Sequence, residues 1–336
     1  MKNDILFKTI ASAAILILII GLVNMVRIKK QANGTSEVMA VPVSNNPLGI
    51  DSSFFNFNTP PASSPHTNSV SSQNPTSASS TRIKTPTPTN IITADSYLVG
   101  NLVTGKIYFE KDPTAVRSIA SVSKLVTAMV IEKNMDPNGQ VAIASSSITE
   151  YEQISDIHPG ETFSVSDLFK GMLLISSNDA ALAFANNYGY TAFMSLMNAA
   201  VQSLGMTHTS FKDPSGLSPE NVSSANDLFK LARYLYTDEP DILAITKTPE
   251  FDLATTTDHD GHNFMNLNPF VYDPHYLGGK TGRTDAAGET MLSMFSLPIK
   301  GVNNSIAIIV LHSNQASRQT DSDLLVEKVL GIISNQ

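Results

Sequence analysis

Three short stretches in the second half of the chain bring together residue types that can do covalent chemistry. They are Ser121-Val122-Ser123-Lys124, Ser176-Ser177-Asn178 and Lys280-Thr281-Gly282. A serine hydroxyl is a weak nucleophile at its free pKa and needs a base within hydrogen-bond reach. Lys124 follows Ser121 by three residues, which at a helix start puts both side chains on one face about one turn apart. A lysine near its ordinary pKa of about 10.4 is protonated and useless as a base. Burial and a second cation lower that value, and Lys280 can supply the cation. A helix start also leaves backbone N–H groups free, so the Ser121 amide can face a developing oxyanion. A lone Ser-x-x-Lys also occurs on exposed helix turns; what sets this chain apart is all three stretches in this order.

The second stretch lies between two apolar segments, where a loop would reach a cleft. The Ser176 hydroxyl can relay a proton between lysine and a leaving amine, and the Asn178 amide can orient a peptide through its paired donor and acceptor. The same residues also suit a polar turn with Ser177 or Asn178 as N-cap, and the two roles are compatible. Lys280-Thr281-Gly282 follows Gly278-Gly279. Small residues let a substrate lie along a strand edge, while Lys280 and Thr281 offer a cation and a hydroxyl to a terminal carboxylate. This chemistry uses side chains and backbone alone, so no cofactor and no metal is expected.

The elements that must position these groups are legible in outline. Ser96–Gly100 and Lys106–Glu110 read as a hairpin around Thr104-Gly105. A helix is expected from about Val122 to Asn134, with Leu125, Val126, Met129 and Val130 on its buried side. Ser164-Val165-Ser166-Asp167 is a capping signal ahead of a helix over Leu168–Ile175, and Ser224-Ala225-Asn226-Asp227 repeats it ahead of Leu228–Tyr236. Asn178–Asn187 and Thr191–Leu204 read as two further helices. The pattern then turns to β-type runs at Leu277–Thr281, Thr290–Leu297 and Ser305–Leu311, and an amphipathic helix over Asp321–Ile333 closes the chain. Strands at both ends with helices between them predict an α/β (α+β) domain: one antiparallel sheet flanked by helices, with a helical insert.

The N-terminal quarter differs in composition. Thr9–Val26 is an almost unbroken apolar run of about 18 residues, enough to span a bilayer core. No convincing cleavage site follows, so an uncleaved anchor over 9–26 after a short tail (1–8) is expected rather than a signal peptide. Arg27, Lys29 and Lys30 lean towards an inward C-terminus by the positive-inside rule. The outward orientation is expected from the site of the substrate, not from charge. Residues 27–91 are rich in Ser, Thr, Pro and Asn and cannot build a core. As a flexible coil, about 60 residues give an end-to-end distance of roughly 45 Å. The catalytic domain is placed at 92–336. The chain has no cysteine, which excludes disulfides and thiolate chemistry, and its formal charge of −8 argues against nucleic acid as a partner.

The three stretches resemble those of the low-molecular-mass penicillin-binding D-alanyl-D-alanine carboxypeptidases, of the β-lactamase/transpeptidase-like fold. The similarity extends to Ser118–Ala128, Asp167–Ala181, Leu204-Gly205-Met206, Asp213-Pro214-Ser215-Gly216-Leu217 and Gly279–Gly288, and covers roughly Thr93–Gly331. The resemblance implies that Ser121 is acylated by a peptidoglycan stem peptide ending in D-Ala-D-Ala, with Lys124 as base and Ser176 and Asn178 lining the site. It implies that Lys280, Thr281 and Gly282 hold the substrate's end, that the Arg283 N–H joins that of Ser121 in the oxyanion hole, and that β-lactams inhibit. It places the catalytic domain outside a bacterial cell membrane, held by the N-terminal helix. Ser177 stands where the family more often has glycine, and Arg283 where it often has histidine or an aromatic, which makes Arg283 a candidate carboxylate contact. A D,D-endopeptidase runs the same acyl-enzyme chemistry. A class A β-lactamase shares the trio but needs a loop glutamate, and Glu220 and Glu239 lack that loop's usual setting. A zinc peptidase could draw on Asp258-His259-Asp260-Gly261-His262, but no His-Glu-x-x-His is present. A receptor that binds without turnover would not need Ser121, Lys124 and Ser176 together.

Overall fold

The hairpin expected near the start of the domain is formed by β1 (Ser96–Asn101) and β2 (Ile107–Lys111). Its turn is set by Asn101, whose Oδ1 accepts the N–H groups of Val103 (3.0 Å) and Thr104 (2.8 Å), the local bond that makes asparagine a turn former. The structure is a computed structural model and describes residues 91–149 and 157–331. The expected tail, the apolar span 9–26 and all of the linker but Ile91 lie outside the described residues. Among the described residues no helix is long and apolar enough to cross a membrane.

Three long strands complete the sheet: β9 (Tyr276–Thr284), β10 (Gly288–Ile299) and β11 (Val302–Ser313). The order is β2-β1-β11-β10-β9, antiparallel throughout, so the last strands of the domain pair with its first. Both faces are buried, which is why these strands read as nearly continuous apolar runs rather than clean alternations. Leu98, Leu292, Ala307, Ile309 and Leu311 face the helical layer. Val99, Met291, Ile306, Ile308 and Val310 face Leu325, Val326 and Val329 of the last helix, α7 (Arg318–Leu330). Asp321, fully buried in α7, accepts the N–H and the hydroxyl of Thr93, each at 2.8 Å, and ties the two ends of the domain together.

Between β2 and β9 lies the helical insert. A short strand β3 (Arg117–Ser118) leads into a 3-10 turn (Ala120–Ser123) and then α1 (Lys124–Asn134). Every α1 residue from Lys124 to Ile131 is buried, a wider burial than the single apolar side expected; a helix apolar all round belongs in a core. β4 (Gln140–Ala142) pairs with β5 (Thr162–Ser164) ahead of α2 (Val165–Leu174). The Ser164 hydroxyl accepts the Asp167 N–H at 3.0 Å, the cap the sequence called for, although α2 begins three residues before the expected start. Next come α3 (Asn178–Tyr188) and α4 (Tyr190–Ser203), a short β6 (Val222–Ser223) paired with β3, and α5 (Ala225–Asp238), capped by Ser224. A helix α6 (Pro240–Thr246) and a hairpin of β7 (Glu250–Leu253) and β8 (His262–Met265) lead to β9; none of the three was expected. They are too short to show a period, and α6 is announced only by Pro240 in its first turn.

Candidate active site

Ser121 sits in the 3-10 turn that feeds α1, partly exposed and flanked by buried residues. The residue before it, Ala120, has φ +47°, a left-handed conformation that costs a non-glycine residue about 1–3 kcal/mol. The neighbours hold that strain in place. The Ser123 hydroxyl donates to Ala120 O at 2.8 Å. Gly216 (φ +93°) packs so closely that a Cβ there would lie 2.1 Å from Ala120 O, and one on Gly282 would lie 3.0 Å from Ser121 N. Only glycine lets the 213–218 loop and strand β9 close on the nucleophile's backbone from two sides.

Lys124, the first residue of α1, is fully buried. Its Nζ lies 2.9 Å from Ser121 Oγ, 2.7 Å from Asn178 Oδ1 and 2.6 Å from Ser215 O. Asn178 Oδ1 and the Ser215 carbonyl can only accept. A neutral amine that donates its two hydrogens to them turns its lone pair to the one partner of the three that can donate, the Ser121 hydroxyl. The contact between the two side chains thus has the polarity needed to take a proton from Ser121. It leaves the Asn178 Nδ2 hydrogens for an acceptor in the cleft.

Asn178 opens α3, and Ser177 caps it, its hydroxyl accepting the Ala180 N–H at 3.1 Å. The polar-turn reading of this stretch is realised, and the same turn brings Asn178 to Lys124. Ser176, half-buried between α2 and α3, has φ +61°, a second non-glycine residue in the left-handed region at the site.

Lys280, Thr281 and Gly282 lie in the middle of β9, the edge strand of the sheet. The Gly279 N–H is taken from outside the sheet by the Thr246 hydroxyl at 3.1 Å. The two-residue period of a strand then aims the N–H groups of Thr281 and Arg283 at the same free edge. Lys280 (3 % exposed) and Thr281 are buried, with Lys280 Nζ donating to Thr281 O at 3.1 Å, while the Arg283 side chain is exposed.

Two contributions carried no assigned role in the sequence reading. The Asp213 carboxylate gathers the loop that follows it: Oδ1 accepts from Ser215 N, Ser215 Oγ and Gly216 N, each at 2.7 Å, and Oδ2 from Ser218 N at 2.6 Å. This fixes the Ser215 carbonyl against Lys124; Asp-Pro-Ser-Gly was the signal, since aspartate favours such turns. Arg318, the first residue of α7, donates from Nη1 to Gly282 O at 3.1 Å and pairs through Nε with Glu289 at 3.7 Å. Burial pushes its guanidinium below the usual range, Glu289 opposes that and Arg283 adds to it. Nothing local in the sequence marks Arg318.

The residues weighed for rival chemistries lie elsewhere in the network. Glu220 pairs with Lys212 on the surface, and Glu239 with Lys133 and Tyr234 near the end of α5. His262 bonds through Nε2 to Glu161 at 2.9 Å, joining β8 to the start of β5.

The sequence profile of the D-alanyl-D-alanine carboxypeptidase family matches residues 81–312. A D-alanyl-D-alanine endopeptidase of Escherichia coli K12 is 33% identical over 227 residues, 66% of this chain and 71% of that protein. A D-alanyl-D-alanine carboxypeptidase of Bacillus subtilis is 30% identical over 243 residues, 69% of this chain and 60% of that one. Penicillin-binding protein D2 of Listeria monocytogenes, solved with cefotaxime bound, superimposes with a TM-score of 0.61 at 27% identity, over 73% of this chain and all of that one.

Proposed function

This chain belongs to the D-alanyl-D-alanine carboxypeptidase family, and from that premise we propose how its residues carry out the reaction. Lys124 takes the Ser121 proton as Oγ attacks the carbonyl of the penultimate D-alanine. The tetrahedral oxyanion is held by the N–H groups of Ser121 and Arg283. As the peptide bond breaks, the proton passes from Lys124 through the Ser176 hydroxyl to the leaving amine of the terminal D-alanine. The ester on Ser121 is then hydrolysed: Lys124 takes a proton from water, hydroxide adds to the carbonyl, and Ser121 leaves with that proton restored. Asn178 Nδ2 orients the peptide from one side. The outward backbone of β9 pairs with it from the other, with Lys280, Thr281 and Arg283 around the terminal carboxylate.

The observation that carries this reading is the contact of Lys124 Nζ with Ser121 Oγ, Asn178 Oδ1 and Ser215 O. A β-lactam carries an activated amide carbonyl and a carboxylate in the same relation, so β-lactams acylate Ser121 and inhibit. The domain works outside a bacterial cell membrane, held by the apolar span 9–26 through the linker 27–91; the hydropathy of that span and the location of the peptidoglycan support this. A cross-linked peptide whose leaving amine belongs to a second stem is a second substrate, favoured by the endopeptidase among the relatives. Incubating the chain with purified muropeptides and weighing the products tests the reading. Loss of one terminal D-alanine supports the carboxypeptidase, conversion of dimers to monomers the endopeptidase, and no product from either contradicts both.

A further inference from the structure

We infer that Glu289 is a positioning residue, which acts through Arg318 to set how strongly the cleft binds a substrate's terminal carboxylate. The inference rests on the reaction proposed above. Glu289 is buried (7 % exposed) near the start of β10, and its register partner on β9 is Arg283, the residue after the Lys-Thr-Gly stretch. Its Oε2 lies 3.7 Å from Arg318 Nε. Arg318 Nη1 in turn reaches Gly282 O at 3.1 Å, and Gly282 is the residue packed against the Ser121 amide. The Glu289 carboxylate therefore pairs with one half-buried guanidinium that is anchored to the substrate strand, and its backbone faces that of Arg283, exposed at the rim.

The charges explain why a carboxylate is needed there. Arg283 and burial both work against the Arg318 cation, and Glu289 alone among the groups acting on it works in its favour. Arg283 has no ion-pair partner among the described residues, so the local excess is positive and open to an anion. With Glu289 present, the Arg318 charge has a counter-ion and its fork stays directed at Gly282 O. With a neutral amide there, two like charges face each other without a counter-ion. Arg318 is then free to turn away from the strand that Thr281 and Arg283 offer to the substrate. Glu289 touches neither Ser121 nor Lys124, so its removal should leave the nucleophile intact.

A plain structural role, pinning α7 to β10, would not distinguish ligands by their charge. The test therefore measures the second-order rate of Ser121 acylation by benzylpenicillin and by its methyl ester, which lacks the carboxylate. It uses the full chain as wild type, Glu289→Gln, Arg318→Lys and the double variant. The expected result is a loss of about tenfold for the acid in each single variant, with the ester changed less than twofold. The double variant should be no worse than the weaker single, because both changes break one unit. Parallel loss for acid and ester, no loss in Glu289→Gln, or single effects that multiply in the double would each overturn the inference. Should Glu289→Gln not fold, Glu289→Asp is judged by the same acid-to-ester ratio. A wild type that neither compound labels contradicts the acyl-enzyme reading, and this inference with it.

Discussion

Around Lys124 the cleft wall is closed. The amine is fully buried and bonded to groups from the 3-10 turn, α3 and the 213–218 loop, and that loop is itself drawn together by one carboxylate, Asp213. Along β9 the wall is open. It is an edge strand whose Thr281 and Arg283 N–H groups face outward, with an exposed arginine at its rim and Arg318 of α7 bonded to Gly282 O. The closed side must hold one atom in one place for proton transfer, where a displacement of about 1 Å can cost 100-fold. The open side must accept and release a peptide, and backbone pairing does that without a closed pocket. Substitutions on the closed side should therefore lower the acylation rate, and those on the open side should change binding.

The largest effect is expected at Lys124. Lys124→Arg keeps the charge and removes a usable base, so acylation by a labelled penicillin should fall by about 10²–10⁴-fold. A near wild-type rate would leave Lys124 as an electrostatic group only. Next is Asp213→Ala, which touches no reacting atom. Releasing the loop should slow acylation by about 100-fold and lower stability by about 2–4 kcal/mol, read by denaturant unfolding. If stability falls and the rate does not, the loop is not what places Lys124. On the open side, Lys280→Ala should raise KM for a D-Ala-D-Ala peptide about tenfold and change kcat less. A loss confined to kcat would move Lys280 to the closed side of the comparison.

The smallest effect concerns α7, the helix packed on β10 and β11. Burial, with the charges of Glu327 and Asp273 adding to it, pushes Asp323 up to about 7. A carboxyl raised from an unfolded value of about 3.9 contributes stability that is complete below about pH 4 and is lost as pH rises to about 7. Asp323→Asn removes that loss. It should match wild type near pH 3.5 and be more stable by on the order of 1–3 kcal/mol at pH 8, with acylation unchanged. A constant difference across that range would show that Asp323 does not titrate as the fold implies.

The sequence was most informative where function rests on neighbours along the chain. Ser121 and Lys124 are one helical turn apart, Ser177 caps the helix it precedes, and the Ser164 and Ser224 caps mark helices correctly; in each case the physics spans a few residues. The strands of the sheet were visible because both of their faces are buried. The partners that complete the site come from far along the chain. Ser215 lies 91 residues after Lys124 and contributes a carbonyl, which every residue has, so no side-chain type announces it. Arg318 lies 36 residues after Gly282, on a helix whose own pattern speaks only of core packing. The short α6 was missed for want of a period, yet its Thr246 occupies the Gly279 N–H and so marks where the free edge of β9 begins.

The most direct test of the central claim, that Ser121 is the residue acylated within this cleft, is peptide mapping of the chain after reaction with a labelled penicillin. The account predicts one labelled peptide, with the adduct on Ser121, and complete loss of label in Ser121→Ala. Label on any other residue, or label that survives Ser121→Ala, would contradict it.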